Sequence, residues 1–102
     1  MQRIADALAV TGLPFAAYGW KNSPGGDYGV YGLDSGYSLD ANNRTVETAV
    51  QGTVDYFTRS DGEAVRRTVE AALHDIPHVL NSVQYEEDTH FLHFEWVVTL
   101  YA

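Results

Sequence analysis

The sequence contains no cysteine. Disulfides, thiolate zinc sites, iron–sulfur clusters and a cysteine nucleophile are therefore excluded. Bases are scarce: six Lys and Arg stand against fourteen Asp and Glu, for a formal net charge of −8. A reader of DNA sequence ordinarily carries a basic stripe. The nearest approach to one is Arg66-Arg67, and Glu63 and Glu70 surround it. This balance argues against adhesion to phosphate backbones. An acidic surface suits a conduit through which DNA slides without sticking, and it equally suits plain solubility. No apolar run is long enough to span a membrane, and Met1-Gln2-Arg3-Ile4-Ala5-Asp6 does not read as a secretion signal. Without such a signal, Asn43-Arg44-Thr45 is a chance match to the glycosylation sequon.

What is present fits one folded domain of 102 residues, with 45% hydrophobic and 20% charged residues. Aromatics reach 13%, led by seven Tyr. So small a domain cannot bury them all, and surface Tyr is well suited to contacts because a rigid apolar ring ends in a polar tip.

The apolar pattern predicts seven elements. Residues 2–11 form a helix with Ile4, Leu8 and Thr11 on one stripe, stopped by Gly12 and Pro14. Phe15 to Trp20 forms a strand, a Pro/Gly loop runs from Asn22 to Asp27, and Tyr28 to Leu33 forms a second strand. A turn-rich stretch is expected from Asp34 to Arg44. Thr45 to Thr58 alternates over a long strand, with Val50, Val54, Tyr56 and Thr58 on one face and Gly52 marking a bulge or bend. Ser60-Asp61-Gly62-Glu63 reads as a capping box opening a helix whose stripe is Val65, Val69, Ala72, Leu73 and Ile76, with Arg66–Glu70 as an i,i+4 pair on the wet side. Pro77 closes it. Val79 to Tyr85 and His90 to Tyr101 are the last strands, the latter with Leu92, Phe94, Trp96, Val98 and Leu100 on one face. The order is α-β-β-β-α-β-β. The expected fold is α+β: a sheet of about five strands, largely antiparallel or mixed, with two helices on one face.

Sites for chemistry find little support. His90 and His93, placed on a strand, point to opposite faces, and Pro77 interrupts the helix that would align His74 with His78. Asp34, Asp40 and Asn42 lie near Gly36, but the calcium-loop spacing and its closing Glu are missing, and turn geometry alone accounts for such residues. Pro24-Gly25-Gly26-Asp27 has no following Lys-Ser/Thr to hold a phosphate. Glu86, Glu87 and Asp88 cluster at a solvated hairpin connection, where no pocket would shift a catalytic pKa. Ser60 reads as a cap, not a nucleophile. We therefore assign no catalytic, metal or cofactor residue. The aromatics and loops are better candidates for contacts between proteins: Trp20, Asn22, Asp27, Tyr28, Tyr37, Glu86, Glu87 and Asp88.

Several stretches resemble a known family. They are Gly12-Leu13-Pro14-Phe15-Ala16-Ala17-Tyr18-Gly19, the Pro/Gly loop and Tyr-rich strand after it, and Val54-Asp55-Tyr56-Phe57-Thr58. Asn81-Ser82-Val83-Gln84-Tyr85-Glu86-Glu87-Asp88-Thr89 and His93-Phe94-Glu95-Trp96 complete the set. Together they resemble the tail-terminator and tail-completion proteins of long-tailed bacteriophages. The resemblance implies a non-enzymatic α+β subunit that forms a ring, typically of six. The ring would end polymerisation of the tail tube and dock the filled head, with DNA passing through its lumen as cargo. The implied partners are copies of itself, the tail-tube protein and the head-completion or connector proteins. The implied location is the virion neck, after assembly in the host cytoplasm. Other neck components, such as head-closure or adaptor subunits, are similarly small. A ligand-binding or enzyme-like α+β domain is the alternative of another class.

Overall fold

A computed structural model of the protein describes residues 1–22, 24–41 and 44–101, with the backbone alone for 35–41 and 44–48. The elements are α1 (Gln2–Ala9), β1 (Phe15–Ala17), β2 (Tyr28–Ala41), β3 (Arg44–Thr58), α2 (Gly62–Ala72), β4 (His78–Glu86) and β5 (Phe91–Tyr101). The fold is α+β in the expected order. One five-stranded sheet runs β1-β2-β3-β5-β4. It is mixed: β1 is parallel to β2, and every other neighbouring pair is antiparallel.

The core forms where the helical stripes meet one face of the sheet. Ile4 and Leu8 of α1, with Val65 and Val69 of α2 and Leu73 just beyond it, pack with Val54 and Tyr56 of β3 and Phe94, Trp96 and Val98 of β5. Alternation along β3 and β5 delivers these residues to one face and sends Asp55, Phe57, His93 and Glu95 to the other. Trp96 is fully buried and stacks on Phe94 with ring centres 5.6 Å apart. Its indole N–H donates to the Glu70 carboxylate at 3.0 Å, and Arg66 donates to the same oxygen at 3.2 Å. Burial works to raise the Glu70 pKa, but these two hydrogen bonds and the Arg66 charge outweigh it and hold it below the usual range. The expected Arg66–Glu70 pair thus also anchors the largest core side chain.

The first helix ends at Ala9, two residues short of expectation, and four further differences have a local cause. The first strand ends at Ala17 because Tyr18 turns left-handed (φ 62) while its N–H donates to the Tyr31 carbonyl at 2.7 Å. The second strand runs on to Ala41, where a turn-rich stretch was expected, and residues 35–41 pair with β3. Asp34 is the extra residue of a bulge between Leu33 and Ser35. Gly52 sits opposite Leu33 at that bulge, where a Cβ would lie 2.7 Å from the Gly32 carbonyl oxygen. The cap of α2 is Asp61, which accepts from the Ala64 N–H at 3.2 Å; the Ser60 hydroxyl is turned away to Asp27. Finally, His90 is not in the last strand. It closes the β4–β5 turn at φ 63, the conformation glycine would take most easily.

Candidate assembly surface

The face of the sheet opposite the helices is built in rungs. Tyr28, Phe57 and His93 are direct cross-strand partners on β2, β3 and β5. Tyr28 stacks on Phe57 at 4.6 Å, and Phe57 stacks on His93 at 4.1 Å. Phe91 meets both Tyr28 and Phe57 edge-on, and the Arg59 guanidinium lies 3.9 Å over the Phe91 ring. Such cross-strand aromatic pairs stabilise a sheet edge to edge.

The next rung places Asp55 directly opposite Glu95. Like charges in that position repel. The fold answers with neutral donors and one imidazole. His93 Nε2 lies 2.7 Å from Asp55, and the Asn81 amide donates to Glu95 at 2.6 Å. Burial pushes the Asp55 carboxyl above its ordinary range against the His93 hydrogen bond, and the Glu95 and Asp34 charges add to that rise. His93 Nδ1 faces Glu86 at 3.8 Å. Both ring nitrogens thus face carboxylates, Asp55 within hydrogen-bond distance and Glu86 beyond it. Ser60 donates to Asp27, a carboxylate that also accepts from the Thr58 hydroxyl and the Arg59 N–H. Among the described residues, no three His, Asp or Glu side chains gather as a metal site would require.

The residues proposed for contacts fall into distinct places. Trp20 is part-exposed; its indole N–H donates to the Gly29 carbonyl at 2.9 Å, and it lines a shallow cleft with Pro24, Tyr28 and Val30. Asn22 is exposed. Tyr28 belongs to the aromatic column, where burial and then the Glu86 charge raise its pKa. Glu86 ends β4 and accepts from the Thr89 hydroxyl at 3.0 Å, while Glu87 and Asp88 are exposed in the turn. The side chain of Tyr37 lies outside the described residues, as do that of Asp40 and all of Asn42. Asp27 faces inward. It accepts from the Thr58 hydroxyl, the Arg59 N–H at 3.0 Å and the Ser60 hydroxyl at 3.0 Å. Burial alone would raise the Asp27 pKa, but these three bonds and the Arg59 charge lower it. This carboxylate fastens the β2 entrance to the β3–α2 junction.

Two features escaped the reading of the sequence. The first is an arm. The last residue of β5 lies opposite Ala49, and beyond that point, among the described residues, β2 and β3 pair only with each other, from Ser38↔Thr48 to Ala41↔Arg44. At about 3.3 Å per residue this carries the hairpin roughly 15 Å past the sheet. The Cα radius of gyration is accordingly 14.9 Å, where a compact domain of this length averages about 13 Å. The signal was the order Ser35, Tyr37, Leu39 interleaved with Gly36, Ser38 and Asp40. The second feature is the edge strand β4, on which Val79 is 66% exposed, Val83 47% and Tyr85 59%.

No protein-family model matches the chain, and no curated protein matches it closely in sequence. No helix among the described residues is long and apolar enough to cross a membrane.

Proposed function

We propose that this protein is a structural subunit that assembles with copies of itself, in the manner of phage tail terminators. In this reading it forms a ring of about six at the head-proximal end of a tail tube. The ring ends tube growth, joins tail to head and lets DNA pass through its opening. The observation that carries the reading is the β2–β3 arm. A two-stranded hairpin standing clear of its sheet is marginal in water by itself and is stabilised when a further strand or surface covers it. A domain that extends such an arm is built to meet another protein.

The charge supports the same picture. A net charge of −8 keeps a DNA conduit from binding its cargo. The titratable groups of the open sheet face are engaged with one another, as structural groups are. Negative-stain images of the purified protein test the proposal. Rings with a central opening wide enough for duplex DNA are expected. Compact single particles at every concentration, with a small molecule retained through purification, would turn the argument to the ligand-binding alternative.

A further inference from the structure

We infer that the outer edge of β4 in one copy receives the β2–β3 arm of the next, edge to edge and antiparallel, so that the sheet continues from subunit to subunit. The inference rests on the assembly reading above and names its contact.

The topology supplies the direction. β2 is antiparallel to β3, β3 to β5, and β5 to β4, so β4 runs opposite to β2. A second copy set beside the first in the same orientation therefore brings its β2 antiparallel to the first copy's β4. Antiparallel is the more stable pairing. The two edges lie on opposite sides of the sheet and differ in kind, as a head-to-tail contact requires.

The lengths agree. β1 covers the outer edge of β2 only at Gly29–Tyr31, so no described strand pairs with the outer side of residues 32–41. β4 offers nine residues, His78–Glu86, and among the described residues no strand lies outside it. Both edges span about 30 Å. Because β1 occupies the near end of β2, the incoming strand is directed outward, along the arm.

The composition of β4 points the same way. A solvent-exposed edge is ordinarily blunted by Lys, Pro or inward-pointing charge. β4 has no Lys and no Pro, and Glu86, at its end, is its one acid. Its only blunting device is the register shift between Leu80 and Ser82. Among the described residues, three of the seven exposed large hydrophobic side chains, Val79, Val83 and Tyr85, lie on these nine residues. The second copy is the occupant that explains both edges at once, because each covers what the other leaves open.

Two variants test it. In one, residues 38–48 are replaced by a two-residue Asn-Gly turn, removing the arm beyond the Tyr37↔Ala49 pair. In the other, Val83→Lys and Tyr85→Lys charge the β4 edge at exposed positions. Circular dichroism confirms folding, and light scattering gives the mass. The parent should assemble and each variant alone should be a monomer. An equimolar mixture should give a dimer and nothing larger, since the arm of one meets the intact β4 of the other and both ends are then blocked. If the parent assembles and the β4 variant still reaches the parent's mass, the contact is wrong while the assembly reading stands. A trimmed-arm variant that dimerises would indicate β4 pairing with β4 and would also overturn the inference. A parent that is monomeric at all concentrations removes the assembly reading itself. Should the trimmed chain fail to fold, the Val83→Lys, Tyr85→Lys variant decides alone: a folded monomer supports the contact, and a folded assembly of the parent's mass overturns it.

Discussion

Removing the Asp27 carboxylate should weaken folding and leave assembly of the folded protein unchanged. Its three donors are unequal. The Thr58 hydroxyl is fully buried, so its lost partner cannot be replaced by water; the Arg59 N–H and the Ser60 hydroxyl sit in an exposed junction and can be rehydrated. A hydrogen bond to a charged group contributes about 1.5–3 kcal/mol net when buried, and the exposed ones contribute less. Asp27→Ala should therefore cost roughly 2–3 kcal/mol. At roughly 4–8 °C per kcal/mol for a domain of this size, the melting midpoint should fall by about 10–20 °C. Asp27→Asn keeps one acceptor oxygen and should lose about half as much. The pH dependence follows from the lowered pKa in the folded state. The stabilisation is present above the unfolded value of about 3.9 and is lost as pH falls through the lower folded value. Urea titrations of parent and variant at neutral and acid pH should show a gap that closes in acid. Equal midpoints at neutral pH, together with weaker assembly of Asp27→Ala, would refute the argument and return Asp27 to the interface.

Three further outcomes can be checked with the same titrations. Trp96→Ala should destabilise by roughly 3–5 kcal/mol by opening a cavity under α2, and Trp96→Phe by less, since it keeps the stack on Phe94 but leaves Glu70 without its indole donor; a parent-like midpoint for the alanine variant would contradict the packing. Asp55→Asn should stabilise above the ordinary Asp range near pH 4, where the raised folded pKa makes the charged form costly, and the gain should vanish in more acidic solution. A gain that grows instead as pH falls would reverse the sign of that argument. His90→Gly should raise stability by up to about 1 kcal/mol by relieving the left-handed backbone; a loss would show that the Tyr85–His90 hydrogen bond of 2.8 Å outweighs the strain.

The body of the fold was legible because periodicity and burial agree there. Ile4 and Leu8, Val65 and Val69, and Val54, Tyr56, Phe94, Trp96 and Val98 each lie on the face their spacing assigns. Legibility failed where composition and pattern disagree. Ser35, Gly36, Ser38 and Asp40 have turn chemistry, yet the backbone there continues as a strand, because cross-strand hydrogen bonding to β3 does not depend on the side chains. The capping box was displaced by one residue because Asp27, more than thirty positions away in sequence, takes the Ser60 hydroxyl. Of the contact residues named from sequence, Trp20 and Tyr28 meet at one cleft, Asp27 is half-buried and ties β2 to the β3–α2 junction, and the exposed apolar strand β4 was not singled out. Its residues alternate as any half-buried strand does, and sequence alone does not say that this strand is at an edge.

The central claim is that this protein assembles with itself, and its most direct test is the mass of the unmodified protein in solution, by light scattering after size exclusion across a range of concentrations. The account predicts a discrete assembly of about six copies of the 11.3 kDa chain. A single-copy mass at every concentration would contradict it.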